Sequence, residues 1–239
     1  MSFSPNEKIM FFSDSQFFNN SLPSPDLISC PQGVNTTIHV SAYSTFKRYI
    51  DILGGFVGLV ITALIFIPIA IAIKWDSQGP VLYSQIRCGL NGKPFRIWKF
   101  RSMYSDADQK KHLVENKAKG HIFKNDQDPR ITRVGAFLRK TSLDEFPQFW
   151  NVLLGDMSLV GTRPPTICEV SHYSSRHWLR LRVKPGITGE WQVNGRSLVD
   201  DFEQIVSLDL QYQRKWSIWY DLALIIATVK VVLLRKGAH

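Results

Sequence analysis

The stretch Arg139-Lys140-Thr141-Ser142-Leu143-Asp144-Glu145-Phe146-Pro147-Gln148 sets adjacent carboxylates beside adjacent cations. Pro147 suits the first position of a helix, Gln148 to Leu154 continues as one, and Gly155 can end it. Asp144 and Glu145 would then lie at the helix start, where partial positive charge lowers a carboxylate pKa and also draws phosphate. An aspartate kept ionised beside a phosphate site is a candidate nucleophile towards phosphorus. The same letters fit a device with no chemistry in it, because Ser142 and Glu145 match the S-x-x-E capping box. Spacing alone favours the capping box.

A second set of residues tilts the balance towards phosphate. Gly155 to Pro165 reads Gly-Asp-Met-Ser-Leu-Val-Gly-Thr-Arg-Pro-Pro, and its prolines stiffen the loop that carries Arg163. A guanidinium held in this way can grip phosphate bidentately. Lys184-Pro185-Gly186-Ile187-Thr188-Gly189 and Asn194-Gly195-Arg196 form a basic, glycine-rich segment around Trp191. Such loops let backbone N–H groups approach a nucleotide, and an indole offers a face to a base or sugar. Other chemistries find less support. No H-x-x-x-H or H-E-x-x-H pair occurs, Ser158 lacks the G-x-S-x-G elbow, and there is no G-x-x-x-x-G-K-[ST] loop. Asp126 and Asp128 could help hold a metal, although Asp before Pro more often makes a turn.

The elements that must position these groups divide the chain by composition. Residues 1–45 are rich in Ser, Asn and Pro with no sustained period, and are expected to be a disordered tail without signal-peptide features. Residues 46–74 contain Ile52 to Ile73, an uncharged run of membrane-helix length interrupted by Pro68. Lys47, Arg48 and Lys74 make both flanks basic, so flank charge gives no sidedness. An ordinary span with a kink and a broken helix that returns to the same side are both open. Residues 75–239 read as an α/β domain. Pro80 to Arg87 and Phe95 to Arg101 are predicted strands joined by a hairpin at Asn91-Gly92, and 104–119 is charged and helix-forming. Leu222 to Leu234, behind Trp216, Trp219 and Tyr220, reads as an interfacial helix or a core-packed one. With 29 Lys and Arg against 20 Asp and Glu, the net charge of +9 favours an anionic partner. Cys30, Cys88 and Cys168 have neither disulfide-framework nor zinc spacing, which fits a reducing, cytosol-facing catalytic part.

At this point the residues resemble the bacterial sugar transferases, the monotopic polyprenyl-phosphate phosphoglycosyl transferases of the exopolysaccharide-initiating type. The motifs run in family order over about residues 45–239: Gly79-Pro80-Val81, Lys99-Phe100-Arg101-Ser102-Met103, Asp128-Pro129-Arg130-Ile131-Thr132, Ser142-Leu143-Asp144-Glu145 with Pro147-Gln148, Gly155 to Gly161, and Lys184 to Gly189. The resemblance implies a mostly α, α/β compact catalytic domain with an N-terminal broken re-entrant membrane helix and interfacial amphipathic helices. It implies that Asp144 attacks the sugar-bearing phosphorus of a UDP-sugar, expelling UMP, and that undecaprenyl phosphate then takes the sugar phosphate, with glucose or galactose as plausible cargo. Glu145 matches the partner carboxylate that helps bind Mg²⁺. Arg139, Arg163 and Arg196 match phosphate-holding arginines, Pro164 matches the proline that shapes the site, and Lys99 and Arg101 are lesser substrate-binding candidates. The family also implies the bacterial inner membrane, with the catalytic domain on the cytoplasmic face, and leaves room for a homodimer. Two departures stand out: Ile67-Pro68 replaces the usual Ser-Pro at the helix break, and Gly161-Thr162-Arg163-Pro164 replaces Gly-Pro-Arg-Pro. A non-enzymatic membrane-surface adaptor that binds anionic lipid is the main rival. Nucleic acid is disfavoured because no recognisable binding motif accompanies the charge.

Overall fold

A computed structural model of the chain describes residues 30, 37–116, 119–120, 125, 127–194, 199 and 201–233. Most of the expected tail therefore lies outside the described residues. Residues 37–44, grouped with it by composition, pack on the domain: the His39 amide donates to Arg182 O at 2.9 Å, and Ser41 is buried in a 3-10 turn over Val40–Ala42.

Helix α1 (Thr45–Asp76) begins where the Ser44 hydroxyl accepts the Lys47 amide, and it contains Pro68. At 1.5 Å per residue its 32 residues extend about 48 Å. It is long and apolar enough to cross a membrane, yet its buried residues are Lys47, Asp51, Gly55, Gly58, Thr62, Ile69 and Ile73. Leu53, Phe56, Leu64, Ile67 and Trp75 are exposed. Both ends touch the same domain. Near the start, Lys47 Nζ bonds Asp221 Oδ2 at 2.6 Å and Val160 O at 2.9 Å, and Arg48 donates to Val152 O and Leu153 O. At the far end, Asp76 Oδ2 accepts the Val134 amide at 2.8 Å.

Strand β1 (Leu82–Cys88) pairs antiparallel with β2 (Pro94–Phe100), in register from Leu82 against Phe100 to Cys88 against Pro94. Asn91 at φ 51° and Gly92 at φ 77° supply the two left-handed residues that a type I′ hairpin needs, as the Asn-Gly signal predicts. Residues 104–116 are not the expected helix. They form turns and a 3-10 turn at Lys111–Leu113. The segment has charge but no apolar stripe, so a helix there would have no face to bury.

Helix α2 (Arg133–Thr141) is capped by Thr132 and closes on Ser142, which is left-handed at φ 57°. A 3-10 helix over Leu143–Gln148 follows, then α3 (Phe149–Leu154), ended by Gly155 at φ 88°. Pro147 thus sits inside the 3-10 helix, one element earlier than predicted. Strands β3 (Ser158–Val160) and β4 (Gly186–Thr188) pair in parallel. Between them lie α4 (Ile167–Val170), α5 (Ser175–Trp178) and a 3-10 helix at Leu179–Arg182; after them come α6 (Glu190–Asn194), α7 (Phe202–Lys215) and α8 (Ile218–Leu233). The water-side core gathers Cys88, Val170, Tyr173, Trp178, Leu181, Phe202, Ile205 and Val206. Helix α8 combines the two faces weighed from sequence: Asp221 and Leu224 are buried, while Trp219, Ile226 and Val229 are exposed.

Candidate active site

The 3-10 helix that carries Asp144 is gripped from opposite sides. Helix α1 touches it and α3, and β2 packs against it. On the α1 side, Thr62 Oγ1 donates to Phe146 O at 3.3 Å, and a Cβ on Gly58 would lie 2.3 Å from the Phe149 ring. Only glycine allows so close an approach. Asp144 itself is buried, and Glu145 Oε1 accepts from Lys99 Nζ at 2.9 Å across from β2.

Cations from neighbouring elements complete the cluster. Arg139, on the last turn of α2, donates through Nε to Ser102 Oγ at 2.9 Å. Burial pulls its guanidinium below the ordinary value, and of the charges around it that of Asp144 acts most strongly in the opposite direction, with Asp128 next. Gly135 brings α2 against the Ser102 backbone, since a Cβ there would lie 2.0 Å from Ser102 O. Asp128 forms a buried bidentate pair with Arg130, at 2.9 Å from Oδ1 to Nε and 2.7 Å from Oδ2 to Nη2. Burial alone would raise the Asp128 pKa, but the hydrogen bonds and charge of Arg130 outweigh it and hold the carboxyl below the usual range. Three of the sequence motifs, Lys99–Met103, Asp128–Thr132 and Ser142–Glu145, thus meet around one carboxylate pair.

Other candidates stand elsewhere. Arg101 is buried, with Nη2 donating to Ser77 O and Nη1 to Gln78 O, both at 2.7 Å; it fastens the end of α1 rather than offering a free fork. Arg163 is engaged with Glu169, Nη1 lying 3.1 Å from Oε2 and Nη2 3.2 Å from Oε1. Pro164 is buried, and its carbonyl accepts from Arg87 Nη1 at 3.1 Å. Arg196 and Asp126 lie outside the described residues. The glycine-rich segments differ from expectation: the Gly161 amide donates to Thr188 O and that of Gly186 to Thr162 O, both at 2.9 Å. Those amides are spent on the β3–β4 ladder, and Trp191 packs against the core. Ser142 makes no side-chain cap bond to the 3-10 helix, so the capping box is not formed. An N-cap needs extended backbone, whereas Ser142 must be left-handed to close α2.

Among the described residues, no group of three or more His, Cys, Asp or Glu is arrayed for a metal. Adjacent Asp144 and Glu145 nonetheless fit Mg²⁺, which is commonly held by one or two carboxylates together with substrate phosphates. Sequence reading missed Ser102, Glu169 and Asp221. Ser102 stands inside the Lys99–Met103 motif without a role of its own there, Asp221 carries no local pattern, and Thr166-Ile167-Cys168-Glu169 is itself a capping-box signature.

A buried aspartate on a 3-10 turn, within the field of Arg139, beside the Glu145–Lys99 pair and braced by a long apolar helix, is the chemical centre of this candidate site. Residues 42–235 match the family described as bacterial sugar transferase, and the chain belongs to that family. It is 54% identical over 194 residues to the galactosyl transferase CpsE of Streptococcus agalactiae serotype III, covering 80% of this chain and 43% of that protein. It is 41% identical over 228 residues to the UDP-glucose:undecaprenyl-phosphate glucose-1-phosphate transferase of Klebsiella pneumoniae, covering 92% of this chain and 45% of that protein. The exopolysaccharide production protein ExoY of Rhizobium meliloti is 37% identical over 201 residues, with 81% of this chain and 88% of that protein covered. The chain spans less than half the length of the first two.

Proposed function

We propose that the chain transfers a sugar 1-phosphate, glucose or galactose, from a UDP-sugar to undecaprenyl phosphate, releasing UMP and beginning an exopolysaccharide or capsule repeat unit. The single observation that carries this reading is the buried Asp144, on a rigid turn within the field of Arg139 and next to the Glu145–Lys99 pair. Relatives named for UDP-glucose or galactose transfer to undecaprenyl phosphate support the substrates.

In the first step an Asp144 carboxylate oxygen attacks the sugar-bearing phosphorus, and the bond from that phosphorus to the bridging oxygen breaks, so UMP leaves with the electron pair. In the second, an oxygen of undecaprenyl phosphate attacks the same phosphorus and the Asp144 carboxylate departs unchanged. Arg139 and Lys99 offset charge on the phosphoryl oxygens where it grows most. Glu145, beside Asp144, would hold Mg²⁺, whose charge would further neutralise the pyrophosphate.

The attachment of both ends of α1 to one domain supports a helix that enters the bilayer from one side. A span would carry its far end across about 30 Å of hydrocarbon, away from that domain. We assign the domain to the cytoplasmic face of the bacterial inner membrane.

Asp144→Asn keeps the shape of the side chain and removes the nucleophile. UMP release from UDP-sugars with undecaprenyl phosphate should fall at least ~10³-fold, and radiolabel from the sugar should no longer remain on the denatured protein. Full activity in this variant would refute the covalent step. Liposome binding without UMP release from any UDP-sugar would favour the adaptor instead.

A further inference from the structure

We propose that Glu169 is a positioning residue: it fixes Arg163 so that the outer edge of the guanidinium, with Nε, meets a phosphoryl group of a substrate. The inference rests on the function proposed above and concerns a pair that stands apart from the Asp144 cluster.

The Glu169 carboxylate is held by a device independent of Arg163. Its Oε2 accepts the Thr166 amide at 2.8 Å while Thr166 Oγ1 accepts the Glu169 amide at 3.1 Å, a reciprocal capping box at the start of α4. The same carboxylate then takes both Nη groups of Arg163. Nε of Arg163 makes no hydrogen bond with the described residues, and the side chain remains 23% exposed. A fork gripped at one edge and open at the other loses little freedom when it meets a second anion.

The surrounding charges keep the Arg163–Glu169 pair ionised. Arg163 and Arg87 act on Glu169, and Arg180 feels Asp209 first and Glu169 less strongly. Arg180 Nε is claimed by Asp209 at 2.7 Å and its Nη1 by Tyr173 at 2.6 Å, while its buried Nη2 has no acceptor among the described residues. Glu169 thus meets Arg163 directly and feels the charge of Arg87. Burial alone would raise the Glu169 pKa, but Arg163 and Arg87 outweigh it and keep the carboxyl ionised at neutral pH.

The phosphoryl group could belong to the UDP-sugar or to the lipid phosphate, and kinetics separate the two. Glu169→Gln, Glu169→Asp, Arg163→Lys and Thr166→Ala are compared with wild type in the full-length protein in detergent, following UMP release with each substrate varied. Glu169→Gln should raise KM for one substrate about ten-fold while kcat changes less than about two-fold. The substrate whose KM moves is the one whose phosphate Arg163 meets. Glu169→Asp should recover part of the loss, and it stands in if the glutamine variant fails to fold. Thr166→Ala, which removes the hydroxyl half of the cap and keeps the Arg163 contact, should move KM far less. Unchanged KM for both substrates in Glu169→Gln, with Arg163→Lys impaired, would overturn this inference and leave the proposed function intact. A lowered KM would also overturn it, by showing that Glu169 competes with substrate. A wild-type protein inert to every UDP-sugar would overturn the proposed function, and this inference with it.

Discussion

Helices α1 and α7 are built inside out with respect to each other. Helix α7 buries Phe202, Ile205, Val206 and Tyr212 and turns Glu203, Gln204 and Arg214 outward, as a helix in water must. Along most of α1 the arrangement reverses. Lys47, Asp51, Gly55, Gly58 and Thr62 face the protein, while Phe56, Leu64 and Ile67 face away. The buried polar groups are paired, Asp51 Oδ1 accepting from Ser158 Oγ at 2.9 Å and the Leu159 amide at 2.8 Å. The difference teaches that the two helices have different solvents. Water surrounds the outer face of α7, and a lipid surface suits that of α1.

The sharpest way to break this comparison is one substitution made on both helices. Ile205→Asp would bury an unpaired carboxylate in the α7 core and should cost about 4 kcal/mol or more, seen as loss of cooperative thermal unfolding. Leu64→Asp, at a position 75% exposed, should leave unfolding in detergent nearly unchanged and weaken flotation with liposomes. Equal thermal damage at both positions would show that α1 packs like an ordinary core helix.

A smaller effect is expected from the Lys47–Asp221 pair beneath α1. Lys47→Met leaves Asp221 buried against Tyr212 and Trp216 and should lower stability by about 3–5 kcal/mol. The double variant Lys47→Met with Asp221→Leu should regain much of that in a detergent melt, because the stranded charge has gone. A double variant no better than the single one would place the stabilisation in the pairing itself.

The smallest effect belongs to Asp128–Arg130, on the water side. The folded-state pKa of Asp128 lies below the usual carboxylate value, so its contribution is fully present above about pH 4 and is lost as pH falls through the folded value. Asp128→Asn should therefore lower stability near neutrality and flatten the acid limb, so that the two stability curves converge at low pH. An equal loss at neutral and at low pH would contradict the assignment.

Much of this architecture was readable from the chain. The Asn91-Gly92 turn, the apolar run of α1 and the helix closed by Gly155 each depend on local chemistry, and each stands where local chemistry puts it. What escaped depends on partners remote in sequence. Strands β3 and β4 are three residues each and satisfy their amides only across a parallel crossover, so their glycines look like ligand loops until the partner strand is known. The S/T-x-x-E pattern occurs at Ser142–Glu145 and at Thr166–Glu169, and only the second forms the capping box. The distinction lies in what precedes it: α2 imposes a left-handed residue at Ser142, while Thr166 follows an extended loop and takes φ −74°, ψ 162°. The Asp144 cluster was legible as a set of motifs, but the engagement of Arg101 with the end of α1 needed the tertiary structure.

The bond between Lys47 and Asp221 joins residues 174 apart in sequence. During synthesis the apolar helix therefore leaves the ribosome long before its ionic latch exists. Over that interval its polar face has no domain to pack against, and a lipid surface is the partner that suits its apolar side.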